Sequence, residues 1–163
     1  EKTKWFQHQY YQQLDNSKVV ALFKTLLKSK DIESNLDIDR IVDLIKERAT
    51  FTTDLWDQGG FFFETPTSYD EKAAKKAFKE ETSNYLSTVN SILDKIEDFS
   101  PETIKEAVRG WITSEKIGFG NIMMPLRLSI VGEMKGPDVF DILAVLGKEE
   151  SMKRIANAIN HMS

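Results

Sequence analysis

Apolar residues recur at intervals of three and four positions along most of this chain, and this spacing restricts the possible folds more than any other feature. Such a period collects apolar side chains on one face of an α-helix. It is present in residues 19–27, 38–45, 85–96 and 104–112. The run Phe61-Phe62-Phe63 is the one strand-like stretch, and it lies between a glycine pair and a proline. The sequence therefore predicts an all-α fold.

Residues with a preference for helix starts precede several of these periodic segments. Asp15 or Asn16 is expected to cap the first helix, and Asp37 the second. Ser100-Pro101 combines a capping hydroxyl with proline at the first helical position. These positions predict where three helices begin.

Glycines and prolines divide the last third of the chain. Gly118 and Gly120 are predicted to end the helix that starts at Pro101. We expect Pro125 to begin a short helix ending at Gly132, Pro137 to begin another ending at Gly147, and a last helix to cover residues 148–159.

Residues 64–70 contain proline, serine and threonines, which indicates an internal boundary. We predict one helical subdomain over residues 1–66 and another over residues 67–163. Short amphipathic helices bury their apolar faces by stacking, so a curved helical bundle or superhelix is expected.

The composition excludes several classes of function. There is no cysteine among the 163 residues, which rules out disulfides and thiolate metal sites and is compatible with the cytoplasm. No apolar run reaches the roughly 20 residues needed to cross a bilayer, and the start resembles no signal peptide. We expect a soluble, cytoplasmic monomer without membrane contact.

The residue types needed for catalysis are not grouped along the chain. His8 and His161 lie near opposite termini, in no spacing that suggests a metal site or a base beside a nucleophile. The acidic pairs Glu80-Glu81 and Glu149-Glu150 are interpreted as solvated helix faces and helix-start charges. We expect no catalytic residue, no metal and no cofactor in this chain.

The formal charge of −4 gives no general attraction to nucleic acid. The excess acid lies in the first hundred residues, because residues 101–163 are balanced. Lys72, Lys75, Lys76 and Lys79 are spaced so that most of their charges share a helical face. They are either a solvated face or possible phosphate contacts without sequence preference.

The stretch Met124-Pro125-Leu126-Arg127, followed by Gly136-Pro137 and by Leu146-Gly147-Lys148-Glu149, closely resembles the C-terminal anticodon-binding region of bacterial glutamyl-tRNA synthetases, which are class I enzymes. The opening Lys4-Trp5-Phe6 with Tyr10 is similar to an earlier helix of that family, although Gln7 stands where the family usually has asparagine. The resemblance covers nearly the whole chain and is tightest over residues 118–159.

The resemblance implies two RNA-reading sites. Arg48, in Glu47-Arg48-Ala49, corresponds to an arginine that reads the third anticodon base. Its donors suit the O2 and N3 acceptors of cytosine and oppose the N–H donors of guanine, a difference of about 1–3 kcal/mol. The other site reads the first two bases and comprises Arg127 with Gly136, Pro137, Asp138, Val139 and Phe140. Gly136 would allow close backbone approach, and Pro137 would start a helix with outward N–H groups.

The family implies a parent enzyme that activates glutamate with ATP and Mg²⁺ and transfers it to tRNA(Glu). The ATP-binding signatures of such an enzyme are not in this sequence. The expected partners are therefore the anticodon loop of tRNA(Glu) and an upstream catalytic domain of the same chain. Two alternatives stay open: the anticodon domain of a non-discriminating glutamyl or a class I lysyl synthetase, and a helical protein-interaction module.

Overall fold

The structure is a computed structural model that describes residues 16–46 and 52–162, with the side chains of residues 17–46 and 55–162. These ranges contain nine α-helices, one 3-10 helix and no strand, so the predicted all-α fold is confirmed. The helices are α1 (Asn16–Ser29), α2 (Ile38–Ile45), α3 (Thr52–Gly59), α4 (Glu71–Ala77), α5 (Thr82–Lys95), α6 (Pro101–Ser114), α7 (Phe119–Val131), α8 (Val139–Leu146) and α9 (Lys148–Met162). None of them is long and apolar enough to cross a bilayer.

The chain forms two compact units, Glu1–Glu64 and Thr65–Ser163. In the first unit, α1, α2 and α3 pack against one another. The phenylalanine run is not a strand, because Gly60–Phe62 form a 3-10 helix with the rings of Phe61 and Phe62 buried. The ring centroid of Phe63 lies 5.8 Å from that of Phe23. Ring packing therefore closes this small core.

Two of the predicted helix caps are confirmed. The Asp37 carboxylate accepts a hydrogen bond from the Arg40 backbone N–H at 3.1 Å, at the start of α2. The Ser100 hydroxyl accepts one from the Thr103 backbone N–H at 3.3 Å, at the start of α6. Each bond satisfies a backbone donor that has no partner within its helix.

Helix α7 lies at the centre of the second unit, where α4, α5, α6, α8 and α9 all pack against it. Helices in such positions are mostly apolar, and α7 has this composition. Its buried residues are Ile122, Pro125, Leu126, Leu128, Ser129, Ile130 and Val131. The core of this unit therefore surrounds the helix that carries the Pro-Leu-Arg motif.

The predicted starts and stops around α7 are wrong in two respects. Helix α6 ends at Ser114 rather than at the glycines, because Lys116 takes the left-handed conformation (φ 55°) that glycine usually supplies. Gly118 instead caps the start of α7, and Gly120 lies inside it. Pro125 does not begin a helix but is the seventh residue of α7. Burial of the proline in the core offsets the one helical hydrogen bond that it cannot make.

The next helix also begins later than predicted. Pro137 precedes α8, whose first residue is Val139 and whose cap is Asp138. The predicted ends are confirmed, since α7 ends before Gly132 at φ 88° and α8 ends before Gly147 at φ 85°. The last helix continues three residues beyond the predicted end, to Met162.

Candidate nucleic-acid interface

An open groove of about 310 Å³ lies in the second unit between α6, α7 and the start of α8. Its lining residues are Lys105, Arg109, Phe119, Met123, Met124, Arg127, Met134, Asp138, Val139 and Phe140. We refer to it as the α6–α7 groove. It brings together four of the residues predicted to read the first two anticodon bases, namely Arg127, Asp138, Val139 and Phe140.

Large apolar side chains face solvent in this groove. Phe119 is 44% exposed, Met134 41% and Met124 36%, and these are the exposed large hydrophobic residues in the part of the chain that the structure describes. Single exposed apolar residues are ordinary, whereas a cluster of them marks a binding surface. An aromatic ring with two polarisable thioethers is suited to packing against a flat, unstacked base.

Cationic side chains border the same surface. The Arg109 guanidinium lies over the Phe119 ring, 5.2 Å from its centroid, and both residues are exposed. Lys105 precedes Arg109 by one turn of α6 and is also exposed. Asp138 is the acidic residue of the lining, and its carboxylate accepts the Phe140 backbone N–H at 2.8 Å. The groove therefore combines apolar contact with positive charge.

Arg127 projects from the middle of α7, as the ninth residue of that helix, rather than from the first turn of a helix starting at Pro125. Its Nη1 donates to the backbone carbonyls of Lys135, Gly136 and Pro137 at 2.9, 3.2 and 2.7 Å. The half-buried side chain thus ties α7 to the turn that carries the Gly-Pro corner. It is an integral part of the groove wall.

The Gly-Pro corner has a different geometry from the predicted one. Gly136 adopts φ 102°, a conformation that L side chains rarely take, which explains the glycine. The expectation of free, outward N–H groups at the helix start is wrong for Phe140, because Asp138 accepts that N–H. Val139 and Phe140 are 2% and 3% exposed, so their side chains form the floor of the groove.

The lysine cluster is divided by the end of its helix. Lys72, Lys75 and Lys76 are exposed on α4, but α4 ends at Ala77, so Lys79 does not share their helical face. Lys76 and Lys79 line a smaller pocket of about 120 Å³ that also includes Met124. Because Met124 lines the α6–α7 groove as well, the pocket and the groove are neighbours.

Arg48 and the opening Lys4–Tyr10 segment lie outside the described residues. The prediction that Arg48 reads the third anticodon base therefore stays a prediction.

Sequence reasoning missed Lys105, Arg109, Phe119, Met124 and Met134 as part of the candidate site. Two local signals pointed to three of them. Lys105 and Arg109 are four residues apart, which places both cations on one face of α6. Met124 immediately precedes the Pro-Leu-Arg motif. What the sequence did not show is that α6 packs beside α7, so that Arg109 meets Phe119.

Known proteins resemble this chain over nearly its full length. The family model described as the anticodon binding domain matches residues 10–159. The glutamate–tRNA ligase of Christiangramia forsetii is 48% identical over 161 residues, which are 98% of this chain and 32% of the relative. That of Porphyromonas gingivalis is 42% identical, with the same coverage.

Solved structures agree with these sequence matches. The crystal structure of a glutamate tRNA ligase from Elizabethkingia meningosepticum superposes with a TM-score of 0.93 at 42% identity, covering 98% of this chain and 32% of that one. The glutamate-tRNA synthetase of Elizabethkingia anophelis gives a TM-score of 0.87 at 42% identity, with coverages of 96% and 31%. The chain thus spans about a third of the length of the relatives it matches. It belongs to the anticodon-binding domain family.

Proposed function

We propose that this chain binds the anticodon loop of tRNA(Glu), as the anticodon-selecting part of a glutamate–tRNA ligase. The observation that carries the proposal is the α6–α7 groove, which groups an exposed aromatic ring, two exposed methionines and two cationic side chains with Arg127 of the Pro-Leu-Arg motif and with residues 138–140, which follow the Gly-Pro corner. Sequence-specific RNA readers target single-stranded loops, whose bases can turn outward and stack on such surfaces.

Each part of the groove has a role in this proposal. Phe119 and Met124 pack against the face of a splayed base, and Arg109, already stacked on Phe119, extends that surface. Lys76 and Lys79, in the neighbouring pocket, contact the phosphates of adjacent nucleotides. Lys72 and Lys75 lie on α4 with Lys76 and would add attraction at longer range. The balanced charge of residues 101–163 suits a module that reads bases while another domain contributes most of the backbone contacts.

We extend the proposal to Arg48 and to the parent enzyme. Arg48 would favour cytosine over guanine at the third anticodon position, by the donor–acceptor argument given above. The parent would be a cytoplasmic monomer that charges tRNA(Glu) with glutamate, and its catalytic domain would hold ATP and Mg²⁺. No three acidic or histidine side chains converge in the described ranges of this chain, so we assign the metal no position on it. This chain would supply selectivity and binding energy far from the chemistry.

Titration of the chain with a fluorescent stem-loop carrying the tRNA(Glu) anticodon tests the proposal. We expect weak binding whose affinity falls as salt rises, because cations are displaced from RNA phosphates. A protein-interaction module would show no binding at any salt, and this result would contradict the proposal.

Two variants and one altered RNA locate the site. Lys105→Gln/Arg109→Gln should weaken binding by about tenfold, whereas Lys153→Gln, an exposed lysine on α9 that does not line the groove, should not. A stem-loop with guanine at the third anticodon position should bind less tightly than one with cytosine, and Arg48→Gln should narrow that difference. An unchanged cytosine-to-guanine ratio in Arg48→Gln would remove Arg48 from the site.

A further inference from the structure

The solvent-facing side of α1, in the first unit, carries positive charge and no negative charge. Lys18, Lys24 and Lys28 are all exposed, and α1 contains no aspartate or glutamate. The whole chain has the opposite balance, with 26 acidic and 22 basic residues. Among the residues that the structure describes, no carboxylate forms an ion pair with any of these lysines. Their charges are therefore available to a partner.

The three lysines lie on one side of the helix. With 3.6 residues per turn they fall within an arc of about 120°, and Lys18 lies about 15 Å from Lys28 along the helix axis. The opposite side of α1 is buried at Val19, Val20, Phe23 and Leu27. We call the exposed side the α1 basic face, and it consists of the three lysines with the exposed Ala21, Thr25 and Ser29 beside them.

Helix stability does not explain the first of these lysines. The N-terminal end of a helix carries partial positive charge, so an anion in the first turn is stabilising and a cation is not. Lys18 lies in the first turn of α1, which has no acidic residue to offset its charge. Lys28, in the last turn, is favourably placed by the same effect. The position of Lys18 therefore indicates an interaction outside the helix.

Two hydroxyl groups on this face are arranged to accept hydrogen bonds from a partner. Thr25 Oγ1 donates its hydrogen to the Ala21 carbonyl at 2.9 Å, and Ser29 Oγ donates to the Leu26 carbonyl at 2.6 Å. A hydroxyl has one hydrogen to donate and two lone pairs, so each oxygen keeps the capacity to accept. Because Thr25 and Ser29 are four residues apart, they are neighbours on the helix surface.

This chemistry fits an RNA duplex better than a single strand. Double-stranded RNA is recognised mainly through its phosphates and its 2′-hydroxyls, which are displayed across a wide, shallow minor groove. Lysine ammonium groups suit the phosphates, and hydroxyl oxygens can accept from the 2′-hydroxyls. Single strands are held largely by bases that stack on aromatic side chains, and the α1 basic face has no aromatic residue.

We propose that the α1 basic face binds the sugar–phosphate backbone of a duplex stem of the tRNA. Lys18, Lys24 and Lys28 contact phosphates, and Thr25 and Ser29 accept hydrogen bonds from 2′-hydroxyls. This inference rests on the proposed function and adds to it an RNA contact in the first unit. Backbone contacts fix position and add affinity without reading sequence. The face would thus supply attraction that the charge-balanced residues 101–163 do not.

Titration of the full chain with a fluorescent RNA duplex that has no loop, at about 50 to about 200 mM salt, tests the lysines. Lys18→Gln/Lys24→Gln/Lys28→Gln should weaken binding by about tenfold or more. It should also make the slope of log affinity against log salt shallower by about 2–3, because each lysine neutralises one phosphate. Glutamine has nearly the helix propensity of lysine, so the circular dichroism should stay that of the wild type.

A matched variant separates the face from the overall charge. Lys95→Gln/Lys116→Gln/Lys153→Gln removes three exposed lysines of the second unit and should leave the affinity and the slope nearly unchanged. Equal losses in the two triple variants would overturn the proposal, since net charge alone would then explain the binding. A wild type that binds no duplex would overturn it as well.

A DNA duplex of the same sequence tests the two hydroxyl oxygens, because DNA has no 2′-hydroxyl. The wild type should bind the RNA duplex more tightly, and Thr25→Val/Ser29→Ala should narrow that difference. Equal affinities of the wild type for both duplexes would overturn the role assigned to Thr25 and Ser29.

The loop and the duplex also distinguish this inference from the proposed function. Lys105→Gln/Arg109→Gln should weaken binding of the anticodon stem-loop and leave binding of the loopless duplex unchanged. If that variant binds the stem-loop as tightly as the wild type does, the proposed reading of the loop fails while the α1 contact stands. If only the stem-loop is bound, the α1 contact fails and the reading of the loop stands.

Discussion

The buried ion pair between Arg154 and Glu150 gives a prediction in which the two partners are not equivalent. Arg154 Nε donates to Glu150 Oε2 at 2.7 Å, and its Nη1 donates to the Ile130 carbonyl at 2.9 Å. The Arg154 side chain is 1% exposed, whereas that of Glu150 is 31% exposed. Glu150 also accepts the Thr65 hydroxyl at 3.0 Å. We predict that replacing the more exposed partner destabilises the protein more.

The magnitude follows from which charge is left behind. In Glu150→Leu the guanidinium stays buried without its counter-charge and cannot lose its proton, a situation that costs about 3–5 kcal/mol. In Arg154→Met the remaining carboxylate is partly exposed and can be hydrated. That variant loses the partner of the Ile130 carbonyl, which lies in the last turn of α7, so we expect a loss of about 1–3 kcal/mol. The double variant leaves no orphaned charge and should be more stable than Glu150→Leu alone.

Urea unfolding followed by Trp111 fluorescence measures these differences. Trp111 lies in the unit Thr65–Ser163, and substituting Trp5 and Trp56 by phenylalanine removes the other two tryptophans. Lys153→Met is the matched control on α9, and as an exposed substitution it should change the free energy of unfolding by no more than about 0.5 kcal/mol. Equal losses in Glu150→Leu and Arg154→Met, or a larger loss in Arg154→Met, would refute the reasoning.

Two further predictions concern the same unit. Burial raises the pKa of Glu150, but hydrogen bonds from Arg154 and Thr65 and nearby positive charge outweigh this and hold the pKa below its ordinary value of 4.5. The stability that the pair contributes is therefore present above pH 4.5 and is lost as pH falls through the folded-state pKa of Glu150. In urea titrations at stepwise lower pH, the free energy of unfolding of the wild type should decrease relative to that of the double variant. A difference between the two proteins that does not change with pH would contradict this. Gly132→Ala should destabilise by about 1–2 kcal/mol, because φ is 88° and the new Cβ would lie 3.2 Å from the Ser68 carbonyl oxygen. In the same assay, Gly110→Ala should stabilise the protein by about 0.5–1 kcal/mol, because Gly110 lies within α6 and a Cβ added there would meet no other part of the protein within 4 Å. Equal changes in the free energy of unfolding for Gly132→Ala and Gly110→Ala would contradict the argument from backbone conformation.

The sequence predicted the features that depend on residues close together in the chain. The helical period, the caps at Asp37 and Ser100 and the ends at Gly132 and Gly147 each depend on interactions within one or two turns. The motif resemblance correctly indicated the anticodon-binding family. Helix boundaries were wrong where the core decided them, as at Pro125, whose burial keeps α7 continuous.

Part of the candidate site was also beyond the sequence pattern. Arg127 and residues 138–140 follow from the motifs, and they do line one groove. The wall formed by Arg109 and Phe119 depends on α6 packing beside α7. A helical period shows which face of a helix is buried but not which helix covers it, so no local pattern predicts that wall.

Glu150 shows the same division most clearly. From the sequence alone, Glu149-Glu150 was interpreted as a solvated helix face or helix-start charge; both residues do lie in the first turn of α9, but the Glu150 carboxylate is only 31% exposed and is paired with Arg154. The pairing of Glu150 with Arg154 lies within one turn of α9. The groups that surround the pair are distant in sequence: Thr65, which donates to Glu150, is 85 residues away from it, and Ile130, which accepts from Arg154, is 24 residues away. Whether a carboxylate is hydrated or paired depends on how much water the surrounding helices exclude. The amino-acid order determined the helices and the family, and only the tertiary packing determined which charges are buried and which surfaces are open.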